Sequence, residues 1–486
     1  MNLATALTEL AVADPGRTAL TVGDRSVSRG ELEAQANWLA RAYRDLGVGP
    51  GDRVILALPN GVEHFAACHA IWKLGAIPVT TSASLVAGEF AEIVALADPR
   101  LVVGRAAAGR RSVPQGFHPG TPVDAGPLPR PPVAAAWRIS TSGGSTGRPK
   151  LIVAAQSAEI DPRFARRLRL EPDQVQLVCG PLYHSSPFGW ATLGLGLGQH
   201  LVVLPRFSTS GSIEAIRRHR VSWTCLVPTM MLRIWRAIEA GSPYDFTSLQ
   251  TVWHMAAPCP PWLKRCWIDL VGAARLLEAY AGTEGLAMTV IDGTGWLAHP
   301  GSVGKPASGE IKVMRADQTP ASPGQHGEVF MRAMPGTATY RYIGAAASPL
   351  ADGWESIGDF GYLDNDGYLY LTGRKSDMIL VGGANIYPAE IEAAITQHPA
   401  VRSCVVVGLP DEDLGHLLHA VVEGNPELSE SELRDFLAGM LSPDKHPHSY
   451  RIVGYPLRDD AGKVRRSQIL QDELLRLGPT TAGTSC

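Results

Sequence analysis

The stretch SGGSTGRPK spans Ser142 to Lys150 and contains three glycines, three hydroxyl side chains and two cations in nine residues. Glycines leave backbone N–H groups uncovered, the hydroxyls can donate hydrogen bonds, and Lys150 adds a positive charge. These are the groups that hold phosphates, so the stretch predicts a phosphate cradle. A flexible surface loop has a similar composition, and it stays open as the alternative on this stretch alone.

The flanks of the stretch predict its architecture. WRIS (137–140) precedes it and LIVAA (151–155) follows it, and both are predicted as strands. A Walker A loop has the pattern G-x-x-x-x-G-K-[ST] and leads into a helix. Because Leu151 follows Lys150 and begins β-like sequence, we expect a strand, a loop and a second strand rather than an ordinary P-loop.

Apolar periodicity predicts helices and strands that alternate along the chain. Residues 31–47 and 63–75 have apolar side chains at helical spacing, and the first of these segments ends at a glycine suited to a helix C-cap. Buried strands are predicted at 52–60, 76–81, 175–180, 200–206 and 223–228. This alternation favours an α/β fold of parallel sheets covered by helices.

Three regions depart from this pattern. Residues 105–132 are rich in Pro, Gly, Ala and Arg, and they predict an irregular surface connector. From about residue 310 the sequence changes to short strands and turns. After Arg374 the pattern predicts a compact α+β segment.

The composition is that of a globular protein without a strong charge. The chain has 486 residues, of which 45% are apolar and 19% charged, and its formal net charge is -3. This balance gives no reason to expect nucleic acid or a membrane as a partner. The seven cysteines are scattered without CxxC spacing, which predicts reduced thiols in a cytoplasmic protein. No apolar run approaches the ~20 residues of a membrane helix.

Four further segments support the phosphate cradle. They are YAGTEG (280–285), GWESIGDFGYLDNDGYLYLTGRKSD (353–377), GGANIYPAEIE (382–392) and AGKVRR (461–466). Together with SGGSTGRPK, and in this order, they resemble the motifs of the adenylate-forming superfamily of acyl-CoA synthetases, peptide-synthetase adenylation domains and beetle luciferases. Each motif is weak alone, whereas five in sequence over nearly the whole chain are specific.

The resemblance implies two domains. A large N-terminal domain (1–373), made of helix-covered, mostly parallel sheets and a small barrel-like β part, would hold ATP and the acid. A hinge (374–378) would connect it to a small, mobile α+β C-terminal domain (379–486) that carries the catalytic lysine. Where the family normally has Asp or Lys in the hinge, this chain has Ser376, so the residue that changes its torsion angles stays open.

The resemblance also assigns the residues that would bind ATP. The glycine-rich loop would close over the β- and γ-phosphates through Ser142, Gly143, Gly144, Ser145, Thr146, Gly147 and Lys150. Tyr280, followed by Ala281 and Gly282, would lie against the adenine. Thr283 would contact the α-phosphate, and Glu284 would hold Mg²⁺.

Residues near the C-terminus complete the implied site. Asp359 and Arg374 would bind the ribose, and Lys463 would bridge the attacking carboxylate and the nucleotide. Gly382 and Gly383 would later shape a tunnel for the thiol of CoA. Taken singly, each motif residue also has a structural explanation, since aspartates favour turns and Lys463 lies in a basic cluster.

The acyl side of the implied site is less defined. His184, in PLYHSSP, matches the family's aromatic-or-His position at the acyl pocket, and a hydrogen-bonded structural histidine is the alternative. The segment 181–197 is apolar, aromatic and glycine-rich, and it suits either an acyl pocket or a core helix. In AAPCPP (256–261) a double alanine replaces the family's G-G-A-P-like turn, which leaves the backbone contact there open.

The resemblance implies an ATP-dependent, AMP-forming acyl-CoA ligase, with ATP, Mg²⁺ and CoA as cofactors. Segments 227–235 and 254–272 resemble the branch that acts on bile acids and steroid side chains. The chain is also similar to the acyl-CoA synthetase of platensimycin and platencin biosynthesis. We therefore expect a bulky polycyclic acid as substrate and a monomer or homodimer.

Two other functions stay open. A stand-alone adenylation domain would load an acid onto a carrier protein, but no aspartate in 181–197 is available to bind an amino group. A non-catalytic nucleotide-binding scaffold is the other alternative. The presence of Glu284, Asp359, Arg374 and Lys463 argues against a scaffold.

Overall fold

Two large sheets and a smaller C-terminal α+β region make up the fold in the computed structural model. The structure describes residues 1–118, 120, 125–129, 131–143, 149–334, 336–347, 349–459 and 462–477. The helices in these ranges are α1 (Ala6–Ala13), α2 (Arg29–Asp45), α3 (Val62–Lys73), α4 (Ala87–Ala97), α5 (Pro162–Arg167), α6 (Ser185–Gly196), α7 (Thr209–His219), α8 (Pro228–Glu239), α9 (Pro261–Val271), α10 (Gly293–Ala298), α11 (Pro388–Ile395), α12 (Glu430–Leu437) and α13 (Arg466–Leu477).

The strands in the described ranges are β1 (Thr18–Val22), β2 (Arg25–Ser28), β3 (Arg53–Leu56), β4 (Ile77–Thr80), β5 (Leu101–Gly104), β6 (Ser112–Pro114), β7 (Ile139–Gly143), β8 (Pro149–Ala154), β9 (Val175–Val178), β10 (His200–Val203), β11 (Trp223–Leu226), β12 (Thr251–His254), β13 (Leu276–Ala281), β14 (Met288–Asp292), β15 (Ser302–Ser308), β16 (Glu310–Met314), β17 (Gly327–Arg332), β18 (Tyr340–Ile343), β19 (Glu355–Leu363), β20 (Leu369–Arg374), β21 (Ile379–Val381), β22 (Ala384–Ile386), β23 (Val401–Asp411), β24 (Gly415–Gly424) and β25 (Ser449–Val453).

The first large sheet carries the two flanks of the glycine-rich stretch. Its strand order is β18-β8-β7-β4-β3-β5-β6. The strands from β7 to β6 are parallel, whereas β8 and β18 are antiparallel additions at one side. β7 and β8 pair from Ile139 with Val153 to Gly143 with Pro149. The predicted strand on each side of the stretch is therefore confirmed.

The second large sheet brings several connecting segments to one edge. Its strand order is β16-β17-β19-β20-β15-β14-β13-β12-β11-β9-β10-β1-β2. The six strands β1, β10, β9, β11, β12 and β13 are parallel, and antiparallel strands extend the sheet on both sides. Because the carboxyl ends of parallel strands share an edge, the segments that follow β9, β11, β12 and β13 lie on the same side.

Helices α3 and α6 are packed between the two large sheets. One continuous buried cluster joins Leu56 of β3, Trp72 of α3, Phe188 of α6 and Leu201 of β10. An apolar helix buried on two sides needs no polar face, which explains why the sequence of α3 is apolar along most of its length. Most of the segment 181–197 is α6, so the core-helix interpretation of that segment is correct for the helix itself.

The chain after Arg374 forms its own sheets and core, as the sequence predicts. β21 and β22 make a hairpin, and β23, β24 and β25 form a three-stranded sheet. α11 and α12 pack on this sheet over a separate apolar cluster that includes Ile391, Val406 and Leu433. The structure departs from expectation in 105–132, where the short strand β6 adds to the edge of the first sheet.

The helices in the described ranges include none that combines the length and the apolarity needed to cross a bilayer.

Candidate active site

Lys150, Glu284 and Tyr342 come together at the end of the glycine-rich stretch. Lys150 lies on β8 and Tyr342 on the neighbouring strand β18, while Glu284 lies in the turn that follows β13. The Tyr342 hydroxyl donates a hydrogen bond of 2.7 Å to Glu284 Oε1. The Lys150 ammonium lies 3.7 Å from the same oxygen and 4.0 Å from the centroid of the Tyr342 ring. A cation and a carboxylate therefore face each other beside the predicted phosphate position.

Asp359 is buried and has two partners. Its carboxylate accepts hydrogen bonds from the Tyr280 hydroxyl at 2.6 Å and from Arg374 Nε at 3.2 Å. Antiparallel pairing of β19 with β20 places Asp359 directly opposite Arg374, which explains how the two positions meet. Burial raises the pKa of Asp359, and the Arg374 charge and the Tyr280 hydroxyl oppose that rise. The Arg374 side chain is 64% exposed, so this pair is open to solvent on one side.

A buried ion pair supports the strand that carries Tyr280. Lys264 Nζ, on α9, lies 2.5 Å from Glu278 Oε2, and the two side chains are 1% and 9% exposed. His254 is paired with Glu278 in the sheet and is fully buried. Burial, and then the charge of Lys264, lower the pKa of His254 well below its ordinary value, so this histidine is neutral. The cluster fixes β13 two residues before Tyr280.

The turn after β12 has left-handed backbone at an alanine. Ala256 has a φ of 76°, a conformation that glycine adopts more readily. A β-carbon in this conformation costs roughly 1–2 kcal/mol. The first alanine of AAPCPP therefore keeps a backbone conformation typical of glycine. The turn differs from the G-G-A-P-like pattern in its side chains and not in this backbone conformation.

Lys463 interacts electrostatically with Arg374 and with His184. Burial lowers the pKa of Lys463, the Arg374 charge lowers it further, and Asp459 opposes these effects. Burial lowers the pKa of His184 to about 3, and the charge of Lys463 contributes to that shift. Such mutual effects require the groups to be close together. Arg374 and the neutral His184 are therefore both within electrostatic range of the Lys463 ammonium.

The loop that carries Lys463 is docked on the start of α8. Gly462 has a φ of 74°, and a β-carbon there would lie 2.8 Å from Thr229 Oγ1. The backbone N–H of Lys463 donates a hydrogen bond of 2.9 Å to Asp459 Oδ1. A glycine at this position allows the close approach, and the bond to Asp459 braces the loop.

Aromatic side chains fill the region next to the N-terminus of α6. His184 is the N-cap residue of this helix, and its buried Nε2 has no hydrogen-bond partner among the described residues. One turn on, the Trp190 ring stacks on Trp253 at 5.7 Å and lies 5.4 Å from Trp223. Ser186 Oγ accepts a hydrogen bond of 2.8 Å from Trp190 Nε1. Trp190 of α6 is therefore packed in an aromatic cluster, whereas His184 at the start of the helix keeps one unsatisfied ring nitrogen.

Two arginines connect the C-terminal region to the large sheets. Arg465 donates hydrogen bonds to both carboxylate oxygens of Glu89, at 2.8 Å and 3.3 Å. Arg236, on α8, lies 3.3 Å from the carbonyl oxygens of residues 396 to 398, which follow the C-terminal end of α11. These contacts hold the arrangement in which Lys463 reaches the site.

The GGAN loop contacts a different part of the molecule. Gly382 and Gly383 form the turn between β21 and β22 with φ values of 54° and 86°. The Gly382 N–H donates a hydrogen bond of 2.8 Å to the carbonyl oxygen of Leu414. The described contacts of this loop are within the C-terminal region, so this arrangement does not bring it to the predicted ATP-binding residues of the N-terminal region.

A second group of possible metal ligands has a structural explanation. His299, Asp364 and Asp366 offer ligand atoms within 4.8 Å of one another. The Asp364 carboxylate already accepts hydrogen bonds from the backbone N–H groups of Asp366 and Tyr368, at 3.0 Å and 2.8 Å. Asp364 and Asp366 belong to a turn between β19 and β20 that these hydrogen bonds stabilise. Other strands of the sheet separate this turn from Glu284, which follows β13.

Seven of the eighteen predicted site residues are linked to one another in pairs or small groups. Residues linked through direct contact or electrostatic effect are Lys150 with Glu284, Tyr280 with Asp359 and Arg374, and Lys463 with His184. Ala281, Gly282 and Thr283 occupy the segment that joins Tyr280 to Glu284. Ser142 and Gly143 end β7. Gly144, Ser145, Thr146 and Gly147 lie outside the described residues.

Sequence reasoning missed Tyr342 and the buried pair of Lys264 and Glu278. Glu278 interrupts the apolar run LLEAYA, and a carboxylate inside a buried strand is a signal that a cation lies nearby. Tyr342 has a weaker signal, the spacing of two tyrosines by two in TYRYI, which puts both on one face of a strand.

Two family models match this chain. Residues 7–340 match the family model described as AMP-binding enzyme, and residues 390–458 match the AMP-binding enzyme C-terminal domain. The first match alone covers more than half of the chain. The chain belongs to the AMP-binding enzyme family.

Curated relatives align with this AMP-binding enzyme over nearly their full length. It is 27% identical over 481 residues to the 2-succinylbenzoate–CoA ligase of Bacillus licheniformis, which covers 95% of this chain and 98% of the relative. It is 28% identical over 487 residues to the fatty acid–[acyl-carrier-protein] ligase ScoC of Streptomyces coeruleorubidus, which covers 94% of this chain and 93% of the relative.

A solved relative is similar to this AMP-binding enzyme in two forms. The o-succinylbenzoate CoA synthetase MenE from Bacillus subtilis, in complex with its acyl-adenylate intermediate, has a TM-score of 0.80 at 26% identity and covers 96% of this chain and 97% of its own. A double mutant of the same protein, bound to a product analogue, has a TM-score of 0.68 over 96% and 98% of the chains. The present arrangement is therefore closer to the adenylate-bound form.

These findings confirm the α/β fold and the class of enzyme. The AMP-binding enzyme is an AMP-forming acid–thiol ligase, and ATP, Mg²⁺ and CoA are the cofactors of this class. The finer resemblance to bile-acid and steroid ligases, and to the platensimycin enzyme, gains no support from these relatives.

Proposed function

We propose that this enzyme activates a carboxylic acid as its acyl-adenylate and transfers the acyl group to CoA. The observation that supports this most directly is the docking of the loop that carries Lys463 on α8, with Gly462 against Thr229, which brings the Lys463 charge within electrostatic range of Arg374 and His184. Arg374 marks the nucleotide side through its bond to Asp359, and His184 marks the acyl side. A lysine within range of both is where a carboxylate must meet the α-phosphorus.

In the first half-reaction a carboxylate oxygen of the acid attacks the α-phosphorus, and pyrophosphate leaves. Negative charge accumulates on the α-phosphate oxygens in the transition state, and a fixed cation stabilises it. Lys463 would supply that cation, and Thr283 would contact the α-phosphate. Lys150 and the glycine-rich stretch would hold the β- and γ-phosphates.

Glu284 suits the metal role that the sequence predicts. One of its oxygens accepts the Tyr342 hydrogen bond, whereas the other takes no hydrogen bond from the described residues. An open carboxylate oxygen beside a phosphate position is the kind of ligand that Mg²⁺ prefers. When bound there, Mg²⁺ would neutralise phosphate charge as pyrophosphate leaves.

The nucleoside would bind between Tyr280 and Asp359. Asp359 already accepts a hydrogen bond from Tyr280, and its pKa is raised by burial, so new donors that replace lost water favour its charged form. Two ribose hydroxyls are such donors. Arg374, exposed on one side, would reach the same ribose, and the Tyr280 ring with Ala281 and Gly282 would border the adenine.

The second half-reaction needs a different arrangement of the C-terminal region. We propose that residues 379–486 rotate about a hinge at 374–378, which withdraws Lys463 and brings Gly382 and Gly383 toward the acyl-adenylate. The thiol of CoA would then attack the acyl carbon and release AMP. The lower similarity to the product-analogue complex of MenE supports two arrangements in this family.

For the acid we propose a compact aromatic carboxylic acid. Trp190, on the helix that His184 caps, packs on Trp223 and Trp253, so part of the apolar segment 181–197 is filled core and not space for a wide polycyclic pocket. One relative is a 2-succinylbenzoate–CoA ligase, whose named substrate is aromatic. Neutral His184, with a free Nε2, can hydrogen-bond a polar group of the acid. A bulky polycyclic acid stays the alternative from the sequence.

CoA is the acceptor we propose, and a carrier protein is the alternative. The relative ScoC is named for transfer to an acyl-carrier protein, whereas 2-succinylbenzoate ligase is named for CoA. The cytoplasmic location and the monomeric or dimeric state stay predictions from the sequence.

A pyrophosphate-release assay over a panel of acids tests the proposal. Substituted benzoates and cinnamates are compared with bile acids and fatty acids, each with ATP and Mg²⁺. We expect pyrophosphate release with at least one aromatic acid at a kcat/KM about 100-fold above that of any bile acid, and an acyl-CoA product when CoA is added. Release with bile acids alone would restore the polycyclic substrate, and no release with any acid would favour the scaffold.

A further inference from the structure

We propose that Tyr342 is a positioning residue of the first half-reaction. Its hydroxyl holds one oxygen of Glu284 so that the other oxygen faces the metal and the phosphates. This inference rests on the proposed function, in which Glu284 holds Mg²⁺. It assigns a role to a residue outside all five sequence motifs.

The two oxygens of Glu284 have different surroundings. Oε1 accepts the 2.7 Å hydrogen bond from Tyr342 and lies 3.7 Å from the Lys150 ammonium. Oε2 points toward Gly282, where an added β-carbon would lie only 2.9 Å away. The carboxylate is thus held from one side and left open over a residue without a side chain. Tyr342 therefore sets which oxygen is available to a cation.

Tyr342 is itself well placed to keep donating this bond. Its strand β18 pairs with β8, which carries Lys150, and its ring lies under the Lys150 ammonium. One side chain thus contacts both the proposed phosphate cation and the proposed metal ligand.

Tyr340 provides a matched control. It lies on the same strand two residues earlier, and its ring packs on Tyr342 with centroids 4.7 Å apart. Its hydroxyl donates to Glu355 rather than to Glu284. Removing either hydroxyl leaves the aromatic packing in place, but only one removal touches Glu284.

The experiment measures how the wild type, Tyr342→Phe and Tyr340→Phe depend on Mg²⁺. Two readouts are used: the Mg²⁺ concentration for half-maximal ATP–pyrophosphate exchange, and the gain in ATP affinity that Mg²⁺ produces in calorimetry without the acid. We expect Tyr342→Phe to raise the half-maximal Mg²⁺ concentration about 10-fold or more, as loss of a group that orients a metal ligand does. Tyr340→Phe should leave it unchanged.

Combining Tyr342→Phe with Glu284→Gln tests whether the effect passes through Glu284. If it does, the tyrosine substitution has no further effect on Mg²⁺ dependence in the Glu284→Gln background. An unchanged Mg²⁺ dependence in Tyr342→Phe, with a clear change in Glu284→Gln, overturns the inference and leaves the proposed function intact. No change in Glu284→Gln overturns the metal role of Glu284 itself. Should Tyr342→Phe not fold, Glu284→Asp tests the same hydrogen bond, because it withdraws the carboxylate from an unaltered tyrosine.

Discussion

Asp359 keeps a carboxylate out of water before any substrate is bound. It is 6% exposed, and burial is the main reason for its raised pKa. Arg374 compensates only in part, because its guanidinium is mostly in solvent and a screened pair of this kind contributes little. The buried Asp359 carboxylate lacks hydrogen bonds that water would donate, and ribose hydroxyls can replace them.

The first prediction concerns Asp359→Asn in the free enzyme. Because the folded pKa is raised above the ordinary 3.8, the folded state binds more protons than the unfolded state just above that pH. The free energy of unfolding of the wild type therefore falls as pH rises through this window. That of Asp359→Asn does not, because an amide does not titrate. We expect Asp359→Asn to have a higher urea midpoint than wild type at pH 7, and the difference to shrink toward pH 4. AMP binding should weaken about tenfold from the lost charged hydrogen bonds.

Asp364 offers a control of opposite sign. Burial raises the pKa of Asp364. Hydrogen bonds from the backbone of Tyr368 and Asp366 and from the Tyr370 hydroxyl outweigh that effect and hold the pKa below its ordinary value. Its contribution to stability is present above pH 3.8 and is lost as pH falls. Asp364→Asn should lower the urea midpoint at pH 7. If both variants shift the midpoint in the same direction, the role of burial at Asp359 is wrong.

Residues in short motifs could be predicted, whereas their supports could not. Lys150, Glu284, Asp359 and Lys463 stand out because their neighbours in sequence form recognisable patterns. Tyr342 acts only because β18 joins β8, a pairing between segments nearly two hundred positions apart. Such pairings depend on tertiary packing, which local spacing does not encode.

At the scale of elements, the end of α11 is a contact point between the two parts of the chain. Its last carbonyl groups have no partners within the helix, and they carry the negative end of the helix dipole. Arg236 from α8 supplies one N–H group within 3.3 Å of three carbonyl oxygens that follow this end, at residues 396 to 398. A cation here stabilises this arrangement, and it would make no contribution after the proposed rotation of the C-terminal region.

Arg236→Ala should therefore shift the balance between the two half-reactions. A cation at a helix C-terminus contributes about 1 kcal/mol, so the arrangement for adenylation should lose about fivefold in population. We expect ATP–pyrophosphate exchange to slow by up to that factor, while thioester formation from preformed acyl-adenylate becomes no slower. Single-turnover assays of each step measure this. Arg217→Ala is the control, because Arg217 pairs with Glu214 within one helix. Equal slowing of both steps would contradict the proposal that Arg236 stabilises only the arrangement for adenylation.

Elements were easier to predict than their connections. The helices and buried strands of both sheets follow from apolar periodicity, and α2 spans Arg29–Asp45 where 31–47 was expected. The strand β6 was missed because three residues at a sheet edge bury too little to produce a periodic pattern. The interpretation of 181–197 as pocket or core needed the structure, since both are apolar.

For the whole molecule, function depends on how the C-terminal region sits on the large sheets. Arg465 bonds to Glu89, Gly462 fits against Thr229, and these contacts deliver Lys463 to the site. The contacts are small and largely polar, which suits an interface that the proposed rotation would separate. The sequence could predict a mobile domain only through resemblance, because composition does not reveal which of two arrangements is populated.

We expect Lys463→Ala to slow the first half-reaction far more than the second. If this lysine stabilises the charge that develops on the α-phosphate, its loss should slow acyl-adenylate formation by about 10²- to 10³-fold. Because the proposed rotation withdraws Lys463 before the thiol attacks, thioester formation from supplied acyl-adenylate and CoA should stay within about threefold of wild type. Pyrophosphate exchange and single-turnover thioester formation measure the two steps. Lys445→Ala removes a lysine of the same region that pairs with Glu390 outside the site, and it should affect neither step. Near wild-type exchange in Lys463→Ala would show that Lys463 has no catalytic role in acyl-adenylate formation.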